Sequence, residues 1–399
     1  MTTLTASRRP GGPDDAVGGV VPREVVRPTS VEEVAEVLRA AHADGLSVVP
    51  VGSGSKTSWA AAPSSCDLLL DTTGLDRIVE HVAGDLVVIA EAGVRLADLQ
   101  TSLGEHGQLL GLDPPEQGAT LGGVVSANAS GPRRLAYGTA RDLLIGTTVV
   151  LADGTVAKAG GKVVKNVAGY DLGKLYTGAH GSLGVLVSTT WRLHPLAPAR
   201  RVLVVDLADS AQAGAMAIAL NRSTLTPVAV ELVGAAGGPG QLVVVFESIA
   251  ESVAAQADAA RDLLGGGSTS NRAADDVPDG FGARPGGPAD VVLRIAHVPT
   301  GLPTALAALP SGTPVVSSAA TGVTYAALAA DQAASALPRL REALVPVDGT
   351  AVVLRAPEGV RDLLDHWGPV GDSLDLMRRV KDRFDPQHRM SPGRFVGGL

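Results

Sequence analysis

Short apolar runs closed by glycine, proline or aspartate alternate along this chain with stretches where apolar positions recur every third or fourth residue. The runs read as buried strands and the recurrences as helices with one buried stripe. Val31, Val34, Leu38 and Ala41 repeat at helical spacing directly after Ser30, and Glu33 completes a capping box with that serine. Gly45 ends the predicted helix, and an apolar run from Leu46 to Val51 follows. Strands are predicted at Asp67–Asp71 and Leu86–Ala90, with a helix over Arg95–His106. The segment from Gly111 to Gly138 carries Pro114-Pro115 and Gly122-Gly123 and reads as loop. Ile145–Leu151 and Val156–Lys158, joined at Asp153-Gly154, read as a hairpin, and a strand from Val185 to Leu193 closes at Pro195.

Beyond Pro195-Leu-Ala-Pro198, strands near Arg201–Asp206, Val228–Leu232 and Leu242–Glu247 alternate with helices near Ala211–Leu220 and Ser252–Leu264. Strands recur around Val291–Ala296, Val323–Leu328 and Thr350–Arg355. The alternation predicts an α+β chain. Residues 1–20 are expected to be a disordered lead, 21–198 a first domain, and 199–399 a smaller α+β domain. A Gly-, Ser-, Asp- and Pro-rich loop near 265–289 is expected to be flexible and without a fixed role.

A length of 399 residues fits two domains, and 45% hydrophobic residues against 19% charged can fill real cores. A net charge of −8 removes the usual electrostatic reason to bind nucleic acid or an anionic membrane. No apolar run reaches the roughly 18 residues that a spanning helix needs. Arg8-Arg9 is followed by Pro10-Gly11-Gly12-Pro13 rather than an apolar stretch, so no export signal is expected and the predicted location is cytoplasmic. The single cysteine, Cys66, excludes an internal disulfide and reads as packing. No two histidines stand at the spacing of a metal-ligand pair, so no metal is expected.

The segment Pro50-Val-Gly-Ser-Gly-Ser-Lys-Thr-Ser58 is neither a Walker loop nor a Rossmann fingerprint. Ser55 separates Gly54 from Lys56, and Thr57 stands where a third glycine would be needed. Two readings remain: an ordinary tight turn, or a cradle of converging backbone N–H groups for an anion. Thr120-Leu-Gly-Gly-Val-Val-Ser-Ala-Asn128 and Gly181-Ser-Leu-Gly-Val185 are two more small-residue loops that can approach a flat ligand. Three such loops suggest one extended ligand touched at several points.

Taken in order, Pro50-x-Gly-x-Gly-x-x-Thr-Ser58, Val88-x-x-Glu-Ala-Gly93, Thr120-Leu-Gly-Gly123, Tyr137-Gly138, Arg141-Asp142, Asp153-Gly154, Lys165-Asn-Val-Ala-Gly-Tyr-Asp171 and Gly181-Ser-Leu-Gly184 form a specific set. As a set they resemble the FAD-binding domain of the vanillyl-alcohol oxidase (PCMH-type) flavoproteins. The likeness spans about residues 20–198. Lys381-x-x-Phe-Asp-Pro386 and Ser391-Pro-Gly-Arg394 look like that family's tail, and within the family the chain looks most like the FAD-binding subunits of bacterial glycolate oxidases.

The resemblance implies an FAD-binding domain of two α+β subdomains followed by a C-terminal α+β cap. It implies that Gly52, Ser53, Gly54, Ser55, Lys56, Thr57 and Ser58 hold the FAD pyrophosphate. Thr120, Gly122, Gly123, Ser126, Ala127 and Asn128 would line the way from ribityl chain to ring, and Asp113 and Pro114 would touch the flavin. Gly184 and Val185 would pack near the adenosine half, and Arg394 near the ring system at the domain interface. It further implies a small 2-hydroxy acid substrate, glycolate in the leading reading, with a second, larger flavin subunit that carries the glycolate chemistry and an iron–sulfur subunit as partners, this chain relaying electrons or supporting assembly. Any membrane association would run through those partners. Residues 50–60 hold neither histidine nor cysteine, so non-covalent FAD is expected. No residue type in the chain singles out the catalytic base. A stand-alone oxidase of another 2-hydroxy acid or polyol, and a non-catalytic assembly subunit, remain open as alternatives.

Overall fold

Val34, Val37, Leu38 and Ala41 bury one stripe of the helix Val31–Ala43 against the first sheet. Ser30 Oγ accepts the Glu33 N–H at 3.2 Å, while the Glu33 carboxylate reaches back one residue further than expected, to the N–H of Thr29 at 2.7 Å. The two bonds together satisfy one donor of the first turn and one of the residue ahead of the cap. Burying a leucine such as Leu38 stabilises by about 1.5–3 kcal/mol, so this stripe fixes the helix on its sheet. This computed structural model describes residues 6–162, 171–265, 269–272 and 277–399. The predicted motif Lys165-Asn-Val-Ala-Gly-Tyr170 lies outside the described residues.

Among the described residues, sheets of four, five and eight strands organise the chain, with a two-stranded pair of Gln108–Leu109 and His194–Pro195 besides. The first runs in the order Ser7–Pro10, Glu24–Arg27, Leu68–Asp71, Val48–Val51, parallel except for its first pair. The second is antiparallel, in the order Ile78–Val82, Val87–Glu91, Val185–Arg192, Leu144–Val150, Val156–Gly160. These two sheets are the two α+β subdomains that the resemblance implies.

The expected disordered lead is corrected by the first sheet. From Ser7 onward it is a paired strand, and Val17 is fully buried. All four residues of that strand are exposed, so no apolar alternation announces it. Its side chains are tied by ion pairs instead, Arg8 to Glu24 at 3.2 Å and Arg9 to Asp15 at 2.6 Å. The predicted loop from Gly111 to Gly138 also contains a helix, Leu121–Ala127.

The eight-stranded sheet is antiparallel and runs from Thr269–Arg272 through Ala199–Leu207, Gly240–Ser248, Ala229–Ala235, Pro314–Ser318, Val323–Ala329 and Asp290–Ala296 to Thr350–Arg355. The helices Gln212–Arg222, Ala250–Leu263, Leu302–Ala307 and Ala330–Leu344 cover one face and share its largest core. On the other face Val292, Val323, Tyr325 and Leu354 pack with Trp59 and Ala129 of the first part. That face therefore roofs the loops that follow the first sheet.

The loop near 265–289 is not free of role over its described part. Arg284 reaches across to Glu116 at 2.9 Å and donates to the Ser130 carbonyl at 3.0 Å. The tail likewise leaves the eight-stranded sheet and returns to the first. The Val48 N–H donates to the Arg389 carbonyl at 2.9 Å, and the Ser391 N–H donates to the Val48 carbonyl at 2.8 Å. Backbone pairing thus lays the tail along the strand that ends at the glycine loop.

Candidate cofactor site

Val48–Val51 ends at a turn made by Gly52 to Ser58. A side chain at Gly52 would strike the hydroxyl of Thr120, so only glycine lets the two loops touch. Gly54 has φ +77° and open space where a Cβ would be. The N–H groups of Ser53, Gly54, Ser55 and Lys56 make no hydrogen bond within the described residues. Four such donors in a row, three of them on small residues, are what an anion cradle requires. Lys56 adds an ammonium group whose pKa is pushed down to about 8 by burial, with Glu116 opposing that shift and Arg284 reinforcing it. Ser58 does not line the groove.

Thr120 caps the helix Leu121–Ala127, its hydroxyl accepting the Gly123 N–H at 3.3 Å. Gly123, Ser126 and Ala127 form the second wall, whereas Gly122 turns away and abuts Ala92. Asn128 ends the helix in the left-handed region at φ 45°, with a buried Oδ1 that accepts no hydrogen bond. Gly184 and Val185 do not line this groove. Val185 pairs with Val150 in the second sheet and is buried in the core, and a Cβ on Gly184 would meet the Val150 carbonyl. His180 and Gly181 form the third wall instead. The His180 N–H donates to the Ser126 carbonyl at 2.9 Å, stitching this loop to the helix.

Arg394 closes the groove from the tail. Its Nη2 donates to the Trp59 carbonyl at 2.7 Å, and burial pulls its pKa down to about 10. Ser391 Oγ is buried without a partner beside Gly181. Asp113 and Pro114 face a different cavity, with Gln100 and Glu116. Both Asp113 carboxylate oxygens accept the Arg133 N–H at 3.1 Å, and burial raises its pKa to about 6, so its visible work is to hold the Gly131–Arg133 turn.

Sequence reasoning missed His180, which lines both this groove and an adjoining cavity under the eight-stranded sheet. Burial and the nearby Arg394 push its pKa down to about 3, so the imidazole is neutral at neutral pH. Missed too were Arg294 and Tyr325, on the far wall of that cavity. Arg294 did leave a signal: a lone charge inside the apolar run Val-Val-Leu-Arg-Ile-Ala. His180 left none, since nothing in sequence ties it to residues 50–60.

The groove fits an elongated dinucleotide: free amides and Lys56 along one wall, small residues along another, and the orphaned Ser391 hydroxyl beside Gly181. Residues 22–160 match the family described as FAD binding domain, and residues 361–395 match FAD linked oxidases, C-terminal domain. The chain is 34% identical over 207 residues to a D-lactate dehydrogenase of Archaeoglobus fulgidus, covering 52% of this chain and 46% of that protein. It is 31% identical over 185 residues to the glycolate oxidase subunit GlcD of Bacillus subtilis, covering 46% of this chain and 39% of the relative. The matches thus span less than half the length of these curated relatives. Its fold is similar to p-cresol methylhydroxylase with substrate bound, at TM-score 0.74 and 17% identity over 94% of this chain and 89% of that one. No helix among the described residues is long and apolar enough to cross a membrane. The chain thus carries a segment that matches the FAD binding domain and a tail that matches the C-terminal domain of FAD linked oxidases, on a fold similar to that of p-cresol methylhydroxylase.

Proposed function

We propose that this chain is an FAD-dependent oxidoreductase acting on the CH–OH group of a small 2-hydroxy acid, glycolate first among them. In this reading it is the FAD-binding subunit of a complex that passes electrons to an iron–sulfur partner. One observation carries the reading: the groove from Gly54 to Ala127 and the cavity lined by Arg294 and Tyr325 adjoin, with Ala127 and His180 lining both. A flavin held in the groove therefore has a pocket at its end in which a substrate can sit. The relatives named as D-lactate dehydrogenase and glycolate oxidase subunit support the substrate class.

When bound, FAD would accept a hydride equivalent from the substrate carbon and give up its electrons singly or in pairs. The chain's own residues would do the rest. The amides of Ser53 to Lys56 and the Lys56 ammonium hold the pyrophosphate, each charge-assisted bond contributing roughly 1.5–3 kcal/mol. Tyr325 and Leu354 of the eight-stranded sheet, packed with Trp59 of the first part, would exclude water from the ring end. Arg394 braces the glycine loop by holding the Trp59 carbonyl and supplies a nearby positive charge. His180 stays neutral and can accept or donate one hydrogen bond at the junction of groove and cavity. Cys66 is buried with its pKa pushed up to about 12 by burial, which disfavours a thiolate tether and agrees with dissociable FAD.

The test is the absorption spectrum of the purified chain, then acid precipitation, then anaerobic addition of glycolate or D-lactate. Yellow protein whose colour leaves with the supernatant, and is bleached by a hydroxy acid in the presence of the partner subunits, supports the proposal. A colourless chain that FAD cannot reconstitute overturns it.

A further inference from the structure

Arg294 stands directly opposite Tyr325 in the antiparallel pair Asp290–Ala296 and Val323–Ala329. Its strand neighbours Val291, Leu293 and Ile295 belong to the helix-covered core, so Arg294 projects from the other face, with Val292 and Tyr325. There it lines a cavity of about 170 Å³, in which Asn128 and His180 form the opposite wall. A single buried water needs only roughly 10–15 Å³, so the space suits a ligand of several heavy atoms.

A second arginine approaches from the first part of the chain. Arg134 opens a helical turn that packs against the strand Ala229–Ala235. Burial lowers its pKa; Arg294 and Arg284 lower it further, while Tyr325 and Glu231 act in the opposite sense. The third arginine is already matched: Arg284 pairs with Glu116 at 2.9 Å and lies 3.9 Å from the Tyr325 ring centroid. Neither Arg294 nor Arg134 makes a side-chain hydrogen bond or ion pair within the described residues. Glu231 is 3% exposed with one carboxylate oxygen unpartnered, and burial raises its pKa to about 7, so it does not balance both cations. Unpaired arginines beside a sheltered cavity are costly unless an anion completes them.

We infer that this cavity is an anion site of the chain's own, in which Arg294, backed by Arg134, takes the carboxylate of a small hydroxy acid and the free Asn128 Oδ1 accepts its hydroxyl. The inference deepens the proposed function and rests on it for the anion's being a substrate; the binding itself requires no flavin chemistry. It also assigns the substrate to this chain rather than to a partner subunit alone. A planar guanidinium meeting a carboxylate through two parallel hydrogen bonds explains arginine in place of lysine here.

Calorimetric titration of the purified full chain with oxalate, glycolate and the neutral analogue glycolamide tests this. Oxalate and glycolate should bind, glycolamide at least about 10-fold more weakly, and rising salt should weaken only the anions. Arg294→Gln should weaken oxalate on the order of 10- to 100-fold and Arg134→Gln about 10-fold, with flavin content unchanged. Arg294→Lys, which keeps the charge if the glutamine variant does not fold, should recover part of the affinity. Oxalate that fails to bind yellow wild-type protein, or that binds Arg294→Gln and wild type alike, overturns the inference while leaving the proposed function standing. Wild-type protein that FAD cannot reconstitute but that still binds oxalate would refute the proposed function and leave the anion site in place.

Discussion

Lys381 and Asp385 form an ion pair that solvent does not reach, with Nζ 2.7 Å from Oδ2 and both side chains at most 2% exposed. The same ammonium donates to the Ser182 carbonyl at 2.7 Å and the Met390 carbonyl at 2.8 Å, and Asp385 accepts the Met390 N–H at 2.7 Å. The pair therefore ties the tail to the loop that carries His180 and Gly181. Removing one partner strands the other charge in the interior, so Lys381→Met or Asp385→Ala should each cost about 3–5 kcal/mol in chemical denaturation. The double variant should lose less than the two singles added. Flavin retention should fall with the singles, because the third wall and Arg394 both move with the tail.

Gly52 and Gly54 should respond differently to alanine. At Gly52 the new methyl would overlap the Thr120 hydroxyl and force the two loops apart. Gly52→Ala should leave the protein folded but with little bound flavin, read as the ratio of visible to ultraviolet absorbance. At Gly54 the space is open and only the φ of +77° is unfavourable. Gly54→Ala should cost roughly 1 kcal/mol of stability and weaken flavin binding mildly.

Lys56, if it holds the pyrophosphate as proposed, should make cofactor binding and apo stability run in opposite directions with pH. Its folded pKa of about 8 lies below the ordinary 10.5, so between those values the unfolded chain holds more protons than the folded one. Stability of the flavin-free chain should therefore rise as pH climbs through that window. Flavin affinity should fall over the same range as the ammonium is lost, and Lys56→Met should flatten that profile. Fluorescence titration with FAD at several pH values measures the second effect, and thermal melts of apo protein the first.

His180 should stay neutral far into acid. Its pKa of about 3 lies below the ordinary 6.5, so the unfolded chain takes up a proton that the folded chain refuses. The stability linked to it is present above about pH 6.5 and is lost as pH falls toward 3. Imidazole resonances of labelled histidine should include one that does not move between about pH 4 and about pH 8. A titrating resonance assigned to His180 would contradict the buried geometry.

Much of the scaffold was legible because strands buried on both faces write themselves as apolar runs: Val185–Arg192 and Thr350–Arg355 lie within a residue of where the runs place them. The helix Leu121–Ala127 was hidden because two glycines argue against a helix locally. Gly122 is there for contact with Ala92, and that need is invisible in one dimension. The strand Ser7–Pro10 was hidden because an exposed edge needs no apolar alternation. At the site, what the sequence signalled was glycine loops with little side-chain bulk, and Gly54, Gly123 and Arg394 do face one groove. Gly184 and Val185 carry the same small-residue signature for a packing reason. His180, Arg294 and Arg134 depend on three segments meeting across the eight-stranded sheet, and no local pattern encodes that meeting.

The hydrogen bond from Arg394 to Thr57 spans 337 positions of chain. On a ribosome, the first glycine turn would emerge long before the arginine that braces it has been translated. Nascent chains would then carry an open, half-built cleft, and flavin capture would come among the last events of maturation. A polypeptide broken off before that arginine would never turn yellow.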